Sequence, residues 1–477
     1  MYIMSSTSVV YDVVVIGGGI SGLITAVRAV QLNLCVVVLE QSIDEEYMCN
    51  SRLTSGVFHC ALNTPSDSVQ NLFSKIKKDT NEFASEELAE LISQNTLSVI
   101  RWLQTLGVRF IKGAQSYYEF ILSPPTLHHQ KEGWRNKGGD NLLKRLEGHL
   151  LKAGSCIKRG HRTISIKPRE GNQFEVFCQV SVGKEISIKT KNVVIADGGF
   201  QNNIELINES ITPSPDKVFQ RNGRSAHGDG ILLSRSLGGD VTGLDGFYGH
   251  LLSIDCFVND ALWPNPWLDA IASSGILVTK EGTRFADEGN GGIFLANQVA
   301  KLEDPLSCFA IADEKIWTDR GNLTMQGPNP KLIESGGTYF VGSTIKELAV
   351  KANINESNLS KTVFQYNNSI DKNEVHLLTP IRTKNKSPYF SILRPPYYAF
   401  PVCAGITYTM GGIKTNQFMQ VISVTDEPIR GLFAVGACTG GLEGGANIGY
   451  VGGLIKSSVM GFKAADFIAQ NTHKNNL

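Results

Sequence analysis

One run near the start of the chain constrains the fold more than any other: Tyr11-Asp12-Val13-Val14-Val15-Ile16-Gly17-Gly18-Gly19-Ile20-Ser21-Gly22-Leu23. Hydrophobic residues enter, glycines follow, and a small-residue helix leaves through Ala26, Val27 and Ala29. Gly17, Gly19 and Gly22 stand in G-x-G-x-x-G register. The first permits a tight turn, the second lets a pyrophosphate approach the backbone, and the third lets helix pack on strand. Amides at the helix start, Ile20 and Ser21 among them, then meet phosphate at the positive end of the helix dipole. A second hydrophobic run over residues 34–39 ends in Glu40-Gln41, about where an acid must sit to hold a ribose hydroxyl. The glycine pattern alone also serves as a plain packing device. With the second strand and its acid it predicts a nucleotide site, for NAD as readily as for FAD.

At 477 residues the chain exceeds one compact core, so two or three domains are expected. Forty-five basic and forty-five acidic residues cancel, which argues against nucleic acid or an anionic membrane as partner. Nine cysteines are scattered without a C-x-x-C pair, and this reads as free thiols in a reducing compartment and no metal site. Residues 1–10 have neither a basic start nor an apolar core, so no signal peptide is expected. No apolar run reaches the ~18 residues of a membrane span. The expectation is a soluble, cytoplasmic protein.

Along the chain, residues 49–59 (Cys49-Asn50-Ser51-Arg52-Leu53-Thr54-Ser55-Gly56-Val57-Phe58-His59) suit backbone held close to a ligand, or a plain polar loop. Helix-period apolar positions from Leu88 to Leu103 predict a helix ending at Gly107. Residues 116–136, with Tyr117, Tyr118, His128, His129 and Trp134, read as a loop, either an entrance or ordinary surface. A helix over 141–152 leads into strands near 162–167, 174–180 and 185–190. Then Val193-Val194-Ile195-Ala196-Asp197-Gly198-Gly199 repeats the strand-then-glycine pattern, and His227-Gly228-Asp229-Gly230 opens another helix. From about 244 to 385 the βαβ alternation lapses, which suggests an insertion. Gly431-Leu432-Phe433-Ala434-Val435-Gly436-Ala437 then restores the first pattern, and a glycine-rich stretch leads into a last helix over 454–469.

These motifs, with residues 275–288 (Gly275 through Arg284-Phe285 to Glu288) and Thr409-Met410-Gly411-Gly412, resemble the fumarate reductase/succinate dehydrogenase flavoprotein superfamily. The likeness runs nearly end to end. It implies an α/β fold: a Rossmann-like, GR2-type FAD-binding domain (1–243 and 386–477) with an inserted α+β capping domain (244–385) that holds substrate against the flavin. Residues 344–349 and 365–368 then belong to the cap. The resemblance assigns the FAD contacts to Gly17, Gly19, Ile20, Ser21, Gly22, Glu40, Gln41, Ser51, Arg52, Thr54, Ser55, Gly56, Ala196, Asp197, Gly198, Asp229, Gly436, Ala437, Gly453 and Leu454. Members that bind flavin covalently use a histidine near the Ser51 position. None stands there, so noncovalent FAD is expected.

The same resemblance implies hydride transfer between flavin N5 and a C–C bond, with a proton moved at the adjacent carbon. Here the sequence departs from the fumarate reductases. Their proton-donating arginine, eight positions after Arg284, is Gly292. His250 matches one carboxylate-binding histidine, but the second is Tyr408, and the arginine expected after Ala446-Asn447 is absent. An unpaired carboxylate in a partly dry pocket costs several kcal/mol, so a dicarboxylate is not the expected substrate. Tyr450-Val451-Gly452-Gly453-Leu454 instead looks like the Tyr-Val-Ser-Gly-Leu stretch of 3-ketosteroid dehydrogenases, where the tyrosine lies beside the substrate.

Tyr450, His250 and Tyr408 are therefore the expected catalytic residues. Arg284 reads as a structural cation pairing with Asp287 or Glu288. Glu443 reads equally as a base or a solvated loop charge. The expected substrate is a small neutral ketone or enone, with an unidentified electron donor or acceptor as partner. A monocarboxylate enoate becomes possible if an arginine such as Arg135 or Arg224 reaches the pocket. The alternatives are a redox-inactive flavin-binding subunit and a flavin-dependent isomerase or hydratase.

Overall fold

A computed structural model of the chain describes residues 9–126, 133–323 and 326–474. His128 and His129, and all but the last two residues of the 1–10 segment, lie outside the described residues. The opening strand Val10–Ile16 sits in the middle of a sheet. It runs parallel to Val36–Glu40 on one side and Lys184–Ile195 on the other. Cys156–Arg159 extends the first side and Pro428–Ala434 the second, both parallel, with Gln420–Ile422 as an antiparallel edge. From Val13 to Ile16 the strand is unbroken hydrophobic because both its faces are covered. Val13 and Val15 pack with one buried cluster, Val14 and Ile16 with another, and none is more than 6% exposed.

The helix Ile20–Gln31 leaves directly from the glycine turn and packs with the last helix, Gly453–Lys474. Two glycines make these approaches possible. A Cβ on Gly22 would lie 2.1 Å from Gly17 O, and one on Gly461 would lie 2.5 Å from Ser21 O. The helix predicted to end at Gly107 spans Glu86–Thr105, with Ser85 Oγ accepting the Leu88 N–H as its cap. The segments read as separate strands at 185–190 and 193–195 are one strand, Lys184–Ile195. Its first half pairs with the antiparallel partner Gln173–Ser181 and its second half enters the main sheet. The stretch 116–136 is not all loop. Phe120–Leu122 is the middle strand of a small sheet between Val57–Phe58 and Phe110–Ile111.

A second sheet is built on the long strand Tyr397–Thr409. Phe247–Ser253, Cys308–Asp313 and Phe340–Gly342 pair with it antiparallel, and Ile276–Thr279 pairs with Cys308–Asp313. The sheet's centre thus comes from beyond the 244–385 segment that supplies most of its other strands. Helices Ile345–Ala352 and Glu356–Asp371 lie in the same region. The 275–288 motif closes on a buried carboxylate. Glu288 accepts from Arg284 Nε at 2.9 Å and from the Leu277 N–H at 3.0 Å, with Arg382 Nε at 3.6 Å behind it. Of the two expected partners of Arg284, Asp287 and Glu288, the ion pair is with Glu288. No helix among the described residues is long and apolar enough to cross a membrane.

Gly22→Ala should lower Tm and the flavin bound per protein, since overpacking at a backbone contact costs about 1–3 kcal/mol. Gly148→Ala, which meets nothing within 4 Å inside the helix Gly138–Lys152, should leave flavin content unchanged. Calorimetry and flavin absorbance check both variants.

Candidate active site

A cavity of about 1100 Å³ starts at the glycine turn and ends in a cluster of aromatic rings. Of the expected cofactor contacts, Gly17, Gly19, Ile20, Ser21, Glu40, Gln41, Ser51, Thr54, Ser55, Ala196, Asp197, Gly198, Asp229, Ala437, Gly453 and Leu454 line it. Gly22, Arg52, Gly56 and Gly436 do not. Gly22 is a packing glycine, and Gly56 sits at φ +83° against Leu122. Gly436 sits at φ +81° against Ser21. The Arg52 guanidinium is fully buried on Asp140, with Glu147 at 3.6 Å and the Tyr47 ring at 4.8 Å. It braces the loop from beneath.

The near end of the cavity suits a dinucleotide. The first turn of Ile20–Gln31 holds no acidic residue, and Gly19 makes no side-chain cap, so the positive helix end faces the cavity. The carboxylate of Glu40 accepts the Gly18 N–H and the Ser42 N–H, each at 2.9 Å, which ties it to the turn. Asp197 receives the Gly230 N–H at 2.7 Å, while its other oxygen is buried without a partner. Burial pushes this carboxyl up to about 7. At the far end, Gly453 and Leu454 begin the last helix and present a second helix N-terminus. An elongated cavity with a helix start at each end, an acid near the first and flat rings near the second fits FAD.

The far end is built by register. Phe247–Ser253 runs antiparallel to Tyr397–Thr409, which sets Tyr248 opposite Tyr408. The ladder then shifts at Gly249, where a Cβ would lie 2.1 Å from Gly405 O. Tyr248 stacks on Tyr450 with centroids 4.2 Å apart and planes at 18°. His250 Nε2 lies 3.1 Å from the Tyr248 hydroxyl and its Nδ1 lies 2.6 Å from Asp269 Oδ2. Asp269 Oδ1 accepts the Leu251 N–H at 2.8 Å, and Trp267 stacks on His250 at 3.6 Å. Burial lowers His250 below the usual imidazole range, against the opposing pull of Asp269. The neutral ring then donates Nδ1–H to Asp269, and Nε2 accepts the Tyr248 O–H. Burial also raises Tyr248, Tyr408 and Tyr450, so all three hydroxyls stay protonated at neutral pH.

Asp269 fills the place where the resemblance looked for an arginine. A Cβ on Gly292 would lie 2.1 Å from Asp269 Cγ. Tyr408 is near the cluster, its ring 5.4 Å from Tyr248, but its hydroxyl donates to Glu443 at 3.1 Å. Glu443 is not a solvated loop charge. It is fully buried, accepts the Val451 and Gly452 N–H groups at 2.9 and 3.0 Å, and has Lys456 Nζ at 3.5 Å. It shapes the turn that carries Tyr450. Neither Arg135 nor Arg224 lines the cavity; Arg135 pairs with Glu46 at 3.0 Å, and Arg221 lines it instead. Sequence reasoning missed Tyr248, Asp269 and Arg221. Tyr248-x-His250 on one strand was a usable signal, because residues two apart share a face. Arg221 carried none.

His59 lies edge-on to Tyr450 at 5.3 Å, and burial holds its imidazole down to about 4. Between pH 6.5 and 4 the unfolded chain takes up a proton that folded His59 refuses, so stability falls as pH drops through that window. The loss is on the order of 3 kcal/mol. Thermal scans across this range should show a shallower decline for His59→Asn than for the wild type.

Residues 12–450 match the family model described as the FAD binding domain. Among curated relatives, the NADH:acrylate oxidoreductase of Vibrio harveyi is 26% identical over 383 residues. The match covers 77% of this chain but 35% of that protein, so the chain spans about a third of that relative's length. The probable fumarate reductase Ifc3 of Shewanella frigidimarina is 22% identical over 450 residues, covering 92% of this chain and 71% of that protein. The solved 3-ketosteroid-Δ4-(5α)-dehydrogenase of Rhodococcus jostii RHA1, in complex with 4-androstene-3,17-dione, superposes with a TM-score of 0.72 at 22% identity. The superposition covers 98% of each chain and shows a shared fold. The chain therefore belongs to the FAD-binding domain family, and it binds FAD.

Proposed function

We propose that this chain is an oxidoreductase that adds or removes hydrogen across a C–C bond next to a carbonyl. One observation carries the reading: the hydrogen-bonded run Asp269–His250–Tyr248, with Tyr450 stacked on Tyr248, at the end of the FAD cavity. Bound FAD supplies the hydride donor or acceptor. The chain's own task is to hold the carbonyl and to move one proton.

The run suits that task in either direction. Tyr248 and Tyr450 present phenol groups that a substrate carbonyl or α-carbon can meet. When Tyr248 takes a proton from the α-carbon, its own O–H proton passes to His250 Nε2 and Asp269 stabilises the imidazolium; in the reverse direction that imidazolium returns the proton as Tyr248 gives its own to the substrate. The ring of Trp267 stacked on His250 lowers the local polarity, and this strengthens the hydrogen bonds of the run. Tyr408 takes no part in the transfer, because Glu443 holds its hydroxyl. It positions the turn at Gly453, where a Cβ would lie 3.2 Å from its hydroxyl oxygen. The kinds of substrate named for the relatives, an acrylate, a fumarate and a steroid enone, support a C=C reaction. The absence of a second carboxylate clamp speaks against a dicarboxylate here.

Purified protein should be yellow, and acid precipitation should release FAD to the supernatant; flavin left in the pellet would mean a covalent bond. Tyr450→Phe and Tyr248→Phe should each keep flavin yet slow single-turnover oxidation of the reduced enzyme by a cyclic enone about 10²–10⁴-fold. Near-normal rates in both would remove the tyrosine pair from the mechanism. Asp269→Asn should lower kcat more than it raises KM, because it acts by orienting His250.

A further inference from the structure

Arg221 stands at the aromatic end of the cavity as a cation with no carboxylate in ion-pair distance among the described residues. Its position is built. The backbone N–H of Arg221 bonds Ile406 O at 2.9 Å, continuing the short parallel pairing of Phe219–Gln220 with Gly405 and Ile406. Its Nε donates to Pro264 O at 2.8 Å, and Nη1 donates to Thr407 Oγ1 at 2.6 Å. The guanidinium lies 5.3 Å from the Trp267 ring centre, so Trp267 is in contact with both Arg221 and His250. Nη2 has no acceptor among the described residues and is not sealed in the protein. Asp269, the nearest acid in the cluster, is held by His250 and the Leu251 N–H rather than by Arg221.

The other cations of the cavity differ. Lys75 pairs with Asp79, Arg162 with Asp229 and Lys456 with Glu443. Lys78 and Lys386 are exposed. A fixed guanidinium with an open fork edge recognises a carboxylate through charge-assisted hydrogen bonds, and a lone desolvated cation is stabilised by an anion. The walls beside it, Trp267, Tyr248 and Tyr450, are flat rings.

We infer that Arg221 is an anion subsite for one carboxylate of the substrate, which is a planar 2-enoate with an apolar or aromatic tail. The inference rests on the proposed C=C chemistry for its redox meaning, but the subsite itself is a binding claim. Among the described residues, Arg221 is the one cation of the cavity in contact with the aromatic cluster, so one carboxylate is accommodated and a second is not.

The test titrates oxidised holoenzyme with phenylpropanoate and with the matching methyl ketone, reading the flavin spectrum. The acid should bind about ten-fold or more tightly than the ketone. Arg221→Gln should keep flavin, weaken the acid about ten-fold and leave the ketone nearly unchanged; Arg221→Lys should fall between. Equal affinity for acid and ketone, or an unchanged acid affinity in Arg221→Gln, overturns the subsite. If the Gln variant fails to hold flavin, the wild-type ratio and the Lys variant decide. Mixing reduced holoenzyme with the unsaturated acid and the unsaturated ketone separates the two claims. Acid bound through Arg221 with hydride passed to neither compound would sink the redox reading and leave the subsite. Fast reoxidation by the ketone with no preference for the acid would do the reverse.

Discussion

A buried carboxylate holds the reactive end of this molecule together. Glu443 has no contact with solvent, yet it satisfies two backbone amides of the 450–453 turn, a tyrosine hydroxyl and a lysine. Removing one partner of such a buried charge costs about 3–5 kcal/mol, so the arrangement persists only as a unit. That unit sets the direction of Tyr450, the start of the last helix and the ring of Tyr408. The aromatic cluster and the helix N-terminus at the far end of the FAD cavity both hang on it. Glu288, between Arg284 and Arg382, does the same for the second sheet.

The cavity divides its work between its two ends. At the near end the recognition is backbone: a glycine turn, a helix start and an acid tied to the turn. At the far end it is side chain, and the side chains come from four separate stretches of sequence. Tyr248 and His250 arrive on a bulged strand, Asp269 on the helix Asp269–Ser274, Tyr450 on the glycine-rich turn, and Arg221 beyond a short strand. At Gly292 the absence of a side chain is what the packing requires. Any side chain there would meet Asp269, which backs His250.

The main sheet and its glycine turn were legible because they rest on local rules. A hydrophobic strand, a tight turn and a small-residue helix must occur together in sequence to work at all. The role of Arg284 as a structural cation was legible, but its partner was left open between Asp287 and Glu288; an extended stretch entering the short turn at Glu288–Asn290, with no helix between, selects Glu288. The long strand Lys184–Ile195 was not read as one, because its two halves pack in different surroundings and so carry different patterns. Glu443 reads in sequence equally as a base or a solvated loop charge, because nothing nearby announces its burial. Phe120–Leu122 was lost in an aromatic stretch whose strand partners lie elsewhere in the chain.

By itself, then, the sequence determined the nucleotide cradle and the α/β class, since both depend on residue types at short fixed spacings. The tertiary structure alone decided which side chains share the reactive end. Tyr248 meets Tyr450 across some two hundred positions, and Asp269 takes the space above Gly292. Arg221, not Arg135 or Arg224, faces the cavity because a two-residue strand pairs with Gly405 and Ile406. Strand register and the packing of distant loops set those meetings, and neither leaves a periodic trace in the order of residues.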